Sequence, residues 1–170
     1  MKTMNTALNI KKPEEHPIDI GVDRRDRKEL ADELSVALAD SYVLYGLTQH
    51  VHCNVTGRLF YSLHKLTEEQ YQDLAKAIDE LAERIRAIGF TAPGGIHQML
   101  AITRMEKIPH AHSPDDMMRL LITGNEACAR TLRQAVARAE ECDDVKTADL
   151  LTDRIGQHEE NTWMLRAILS

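Results

Sequence analysis

Aromatic residues are scarce in this chain, at 4% of 170 residues, and long apolar runs are absent. Without a run of about eighteen apolar residues, no ordinary membrane-spanning helix is expected. The N-terminal stretch lacks the apolar core of a secretion signal, so we expect a cytoplasmic protein without a membrane partner. The three cysteines are odd in number and have no CxxC spacing, which argues against a disulfide framework and a zinc knuckle.

A surplus of positive charge is also missing. The chain has 21 Lys and Arg against 27 Asp and Glu, a formal net charge of -6, which argues against a generally basic nucleic-acid-binding surface.

Residues 1–22 contain two prolines and no helical period, so we predict a flexible tail there and one domain over residues 23–170. Lys2, Lys11 and Lys12 are the candidate DNA contacts, although nearby acids leave the tail nearly neutral.

Four long segments have apolar residues at three- and four-residue steps and predict helices. They cover residues 23–53, 59–88, 114–140 and 145–169. Ser113 followed by Pro114 and an acid at the third position is a helix-start signature, and Gly89 suits a helix end. The long connection between the second and third helices holds one short predicted helix, over residues 96–103. Because such a connection lets those two helices run parallel, we predict an all-α, ferritin-like four-helix bundle.

The second predicted helix carries two pairs of metal-ligand residue types at one-turn spacing, His64 with Glu68 and Asp79 with Glu83. At about 100° per residue, all four side chains lie within one stripe about 100° wide. The midpoints of the pairs are about 22 Å apart along the helix, so one chain cannot hold a single ion with both. If two copies pack antiparallel near Asp73, each pair faces the other pair of the second copy. The spacing therefore predicts a metal site between two subunits, present twice per dimer.

Simpler interpretations of these charged residues remain open. Acids four residues apart on a helix are usually a solvated face, and Glu83 can pair with Arg84 or Arg86. Asp149 and Asp153 lie one turn apart near the start of the last helix, where they either complement the helix dipole or form, with Asp144, an acidic pore through which iron enters. The histidines of the long connection lack convergent partners and are predicted to be solvated; they are His97, His110 and His112.

Several stretches resemble the Dps family, the ferritin-like DNA-binding proteins from starved cells. They are residues 52–57 (HCNVTG) with Phe60, residues 63–71 (LHKLTEEQY), residues 79–85 (DELAERI) with Gly89, residues 147–152 (TADLLT), His158-Glu159 and residues 163–165 (WML). The resemblance extends over about residues 23–169, and its central motif is specific because many positions agree at fixed spacing.

The resemblance implies a hollow homododecamer that is cytoplasmic or nucleoid-associated. Members of the family are ferroxidases: they bind Fe(II) between subunits, oxidise it preferentially with hydrogen peroxide, store the ferric mineral and protect DNA from oxidative damage. On the matching positions, iron would be bound by His52, His64 and Glu68 of one subunit and by Asp79 and Glu83 of its two-fold mate. Zinc or another divalent ion suits the same histidine and carboxylate ligands.

One departure and two alternatives qualify this resemblance. Cys53 stands where the family most often has Trp, so an oxidisable thiol replaces a ring that can scavenge radicals.

The first alternative function is a non-specific DNA-binding, nucleoid-compacting structural protein with little ferroxidase activity. The second is a di-iron site inside one bundle, which we disfavour because no predicted helix carries the Glu-x-x-His pair that such sites use.

Overall fold

The computed structural model describes residues 18–106 and 113–170, which form five helices and no strand. The helices are α1 (Arg24–Asn54), α2 (Phe60–Ala87), α3 (Ile96–Ile102), α4 (Pro114–Glu141) and α5 (Val145–Leu169). The prediction of four long helices and one short helix is confirmed, and within these residues no helix is long and apolar enough to cross a membrane. Residues 1–17 of the predicted tail, with Lys2, Lys11 and Lys12, lie outside the described residues, as do His110 and His112.

The four long helices pack as a bundle in which α1 contacts α2 and α4, and α5 contacts α4 and α2. The short helix α3 packs on α1 through Met99, which is 2% exposed. The predicted seam of α2 is buried throughout; its members are Leu74, Ile78, Leu81, Ile85 and Ile88. The stripe beside this seam faces away from the core of the bundle; its members are His64, Glu68, Asp79 and Glu83.

The ends of two helices follow the predicted signals. The Ser113 hydroxyl accepts a hydrogen bond from the Asp116 N–H at 3.1 Å, which caps α4. Gly89 follows the C-cap of α2 with a φ of +99°, in the left-handed region that favours glycine. A Cβ at Gly89 would lie only 2.9 Å from the guanidinium of Arg27 and from Ile18, so those two side chains would have to shift to accommodate it.

A buried carboxylate joins three elements that are far apart in the sequence. Asp40 of α1 is 1% exposed and accepts hydrogen bonds from the Thr103 hydroxyl at 2.5 Å, the Arg104 N–H at 2.9 Å and the Thr131 hydroxyl at 2.7 Å. Thr103 follows α3 and Thr131 lies in α4. Asp40 therefore holds the long connection and α4 against α1.

A buried histidine links α4 to α5. His158 is 1% exposed, and its Nδ1 lies 2.9 Å from Oδ1 of Asn125, whose own amide donates to the Leu121 carbonyl at 2.8 Å. The imidazole Nδ1–H is thus the donor to Asn125, and the ring is neutral. Burial lowers the pKa of His158 to about 3, with a smaller contribution from the positive charge of Arg154.

His158 is expected to make the protein sensitive to acid. Its folded pKa lies below the ordinary value of 6.5, so the unfolded chain takes up a proton that the folded chain does not. Stability is therefore lost as the pH falls from about 6.5 towards 3, by up to about 4 kcal/mol. We expect the melting temperature of the wild type to fall more steeply with acid than that of His158→Gln, measured by calorimetry between about pH 7 and pH 4.

The matched control for this experiment is His50→Gln, because His50 is an exposed histidine. That variant should keep the slope of the wild type, because the His50 side chain is in contact with water in the folded chain as well as in the unfolded one. Equal slopes for wild type and His158→Gln would contradict the prediction.

Candidate metal centre

Two histidines from different helices hold each other in place. His52 lies near the end of α1 and His64 near the start of α2, and a turn at Gly57, with φ of +91°, brings them together. Their rings stack with centroids 3.8 Å apart. His52 Nδ1 lies 2.9 Å from the His64 carbonyl oxygen, and His64 Nδ1 lies 2.9 Å from the His52 carbonyl oxygen. We call these two residues the cross-braced histidine pair.

The hydrogen bonds of the cross-braced histidine pair determine which nitrogen can bind a metal. A carbonyl oxygen only accepts, so each Nδ1 carries a proton, and in the neutral ring the lone pair is then on Nε2. The described residues provide no hydrogen-bond partner for either Nε2 atom. Both histidines are therefore in the tautomer that a metal ligand requires, with orientation set by the other nitrogen.

Two aromatic rings support the cross-braced histidine pair. Phe60 stacks on His64 with centroids 5.2 Å apart, and Tyr71 meets His52 edge-on at 5.1 Å. Sequence reasoning did not assign either ring a role, although Phe60 precedes His64 by four residues on one face of α2. These contacts restrict rotation of both imidazoles.

Glu68 lies one turn beyond His64 and is partly exposed. Its Oε2 accepts a hydrogen bond from the Lys65 ammonium at 2.7 Å. This hydrogen bond and the charge of Lys65 lower the pKa of Glu68. The carboxylate is thus held in the ionised form that binds cations.

The second pair, Asp79 and Glu83, lies farther along the same uninterrupted helix and is exposed. Arg84 pairs with Asp144 at 2.6 Å, and Arg86 donates to the Phe90 carbonyl, so neither arginine is engaged by Glu83. Among residues 18–106 and 113–170, no three His, Cys, Asp or Glu side chains converge as a metal-binding group. One chain thus brings His52 and His64 together but keeps the midpoint of the acidic pair about 25 Å from His64 along α2.

The predicted pore residues have different environments. Asp144 is 4% exposed, binds Arg84 through both carboxylate oxygens and caps α5 by accepting from the Thr147 N–H at 3.0 Å. Asp149 and Asp153 are exposed on α5. The ion pair of Asp144 with Arg84 therefore holds α5 against α2. A pore formed by several subunits stays a prediction.

Comparisons with known proteins agree with this architecture. A family model of the ferritin-like domain matches residues 31–170. A low temperature-induced protein of Nostoc is 38% identical over 154 residues, 89% of this chain and 86% of that protein. DNA protection during starvation protein 2 of Bacillus anthracis is 32% identical over 143 residues, 84% of this chain and 98% of that protein.

One solved structure is similar to this chain over nearly the whole length of both chains. The crystal structure of the DPS protein from Vibrio cholerae O1, described as a ferritin-like diiron-carboxylate protein, has a TM-score of 0.85 and 30% identity. The match covers 94% of this chain and 100% of that one.

The bundle with its long middle connection defines a protein of the ferritin-like class. Within that class, the chain belongs to the Dps family, which confirms the resemblance in its sequence.

Proposed function

We propose that this protein is an iron-storing ferroxidase whose active site lies between two copies of the chain. His52, His64 and Glu68 of one copy and Asp79 and Glu83 of the other would bind Fe(II) as the substrate. The observation that carries the proposal is the cross-braced histidine pair, in which both Nδ1 atoms are hydrogen-bonded and both Nε2 atoms have no partner within the described residues. The membership of the Dps family supports storage of the ferric product inside a hollow dodecamer.

The residue types suit this chemistry. Neutral imidazole nitrogens bind Fe(II), and carboxylates favour Fe(III) as it forms. With hydrogen peroxide as the preferred oxidant, two Fe(II) ions each lose one electron, the O–O bond breaks, and two protons are taken up to give two waters. Delivery of two electrons to one peroxide avoids the release of hydroxyl radical. Removal of both Fe(II) and peroxide would protect DNA, which is the role named for the Bacillus anthracis relative.

Exposed apolar side chains support the pairing of two copies. At the start of α2, near the cross-braced histidine pair, Leu59 is 43%, Phe60 45% and Tyr61 72% exposed. On α3, Ile96 is 60% and Leu100 61% exposed. Large apolar residues exposed on a surface commonly mark an interface, and here they lie at the start of α2 and on α3, which packs on α1. A second copy packed antiparallel along α2 would cover those at the start of α2.

Other parts of the proposal depend on the assembled shell. The exposed Asp149 and Asp153 are our candidates for an iron-uptake pore, with Asp144 positioning the helix that carries them. Contact with DNA is proposed only through Lys2, Lys11 and Lys12, because twelve chains of charge -6 form a shell that repels DNA elsewhere. We place the protein in the cytoplasm, close to the DNA that it protects.

The direct test is stopped-flow oxidation of Fe(II) by stoichiometric peroxide, compared with air. We expect the wild type to react fast with peroxide, and Glu83→Ala to react at least about tenfold more slowly because the site loses a ligand. Glu80→Ala is the control, since Glu80 is an exposed acid on the same helix outside the ligand stripe. Oxidation by the wild type no faster than that of free iron would rule out the ferroxidase and favour the DNA-compacting alternative.

A further inference from the structure

A lysine already pairs with one oxygen of a carboxylate that the proposed site offers to a metal. Lys65 follows His64 directly, and its ammonium is 2.7 Å from Oε2 of Glu68. The two side chains are 51% and 32% exposed, so both can move without rearrangement of the core. The hydrogen bond raises the pKa of Lys65 and lowers that of Glu68, so each charge favours the other.

We propose that Lys65 is a displaceable counter-ion of the metal centre. This inference rests on the proposed function, in which Glu68 faces Asp79 and Glu83 of a second copy. Three carboxylates that converge without a metal repel one another, and the ammonium of Lys65 relieves that repulsion. A divalent ion that binds both oxygens of Glu68 has to replace the ammonium, and one that binds Oε1 alone still meets its positive charge.

Lys65 therefore has two opposite effects that are thermodynamically linked. It stabilises the metal-free site, and by the same interaction it weakens the binding of any divalent ion there. Such a counter-ion would keep iron binding loose enough for the product to leave towards the cavity. Without the charge, the metal-free carboxylates repel and the ion binds more tightly.

The test is a calorimetric titration of the assembled protein with Zn²⁺, a redox-inactive ion that accepts the same nitrogen and oxygen ligands. Lys65→Met keeps the apolar stem but removes the charge, and we expect it to bind Zn²⁺ about threefold to tenfold more tightly than the wild type. Lys65→Arg keeps the charge and should remain within about twofold of the wild type. Lys28→Met removes a lysine of the same exposure, 51%, that pairs with Asp32 on α1, and should leave the affinity unchanged.

His64→Ala separates failure of this inference from failure of the proposed site. If Zn²⁺ binding is lost in His64→Ala and strengthened only in Lys65→Met, the counter-ion role is supported. If binding depends on His64 but is the same in wild type and Lys65→Met, or rises equally in Lys28→Met, Lys65 is an ordinary surface lysine. If no binding depends on His64, the metal site itself is refuted, and the role of Lys65 with it.

Discussion

Two inactive variants, His64→Ala and Glu83→Ala, are expected to regain about a quarter of the wild-type ferroxidase sites when they are assembled together. In the proposed dimer, each site takes its histidines from one copy and its second acidic pair from the other. A mixed dimer therefore contains one intact site, formed by the histidines of the Glu83→Ala chain and the acids of the His64→Ala chain. Its other site carries both defects.

The expected fraction follows from random pairing. Half of the dimers are mixed, and half of the sites in each mixed dimer are intact, which gives about one site in four. The measurement is the peroxide-driven oxidation rate of shells co-expressed or refolded from equal amounts of both chains, with the mixing verified by mass spectrometry. Each variant alone should retain little activity.

A second mixture provides the control. His64→Ala and His52→Ala both damage the histidine side, so their mixed dimers contain no intact site and should stay inactive. A shell of His64→Ala and Glu83→Ala chains that is well mixed but inactive would show that the acids and the histidines do not act across two copies. The mixing experiment thus tests the location of the site independently of its rate.

Asp40→Ala is expected to be the most damaging single change to the stability of the subunit. The Asp40 carboxylate is 1% exposed and accepts three hydrogen bonds, and its removal leaves the Thr103 hydroxyl, the Arg104 N–H and the Thr131 hydroxyl without their acceptor. A buried donor without a partner costs about 1–3 kcal/mol, and the Thr131 bond is buried while the other two are part-buried, so we expect a loss of about 2–4 kcal/mol. Urea unfolding at matched protein concentration measures it, because assembly makes stability depend on concentration.

Two further variants identify the cause. Asp40→Asn keeps one carbonyl oxygen and should lose less than Asp40→Ala. Asp32→Ala removes an exposed carboxylate that pairs with Lys28 at 2.6 Å one turn away, and such a pair contributes about 0.5 kcal/mol or less. Similar losses for Asp40→Ala and Asp32→Ala would mean that the buried hydrogen bonds to the long connection contribute little.

The sequence alone was sufficient to predict the helices and the family. Apolar spacing along one helix is a local property, and start and stop signals such as Ser113-Pro114 and Gly89 act within a few residues. The common stripe of His64, Glu68, Asp79 and Glu83 also follows from spacing, because α2 is one continuous helix. The proposal of a shared site therefore depends on periodicity and on the resemblance to the Dps family.

Contacts between residues far apart in the sequence were decided only by the tertiary structure. The bond from Thr131 to Asp40 and the ion pair of Arg84 with Asp144 join helices whose register no local pattern specifies. An aspartate in a helix is usually solvated, so nothing in the sequence marked Asp40 as buried.

The metal-binding tautomer of His52 and His64 likewise depends on a turn that places each ring against the other's carbonyl oxygen. The sequence thus determined which residues share a face of one helix. Only the packing of one helix against another decided the partners of each polar atom, because those partners are distant in the chain and meet only after folding.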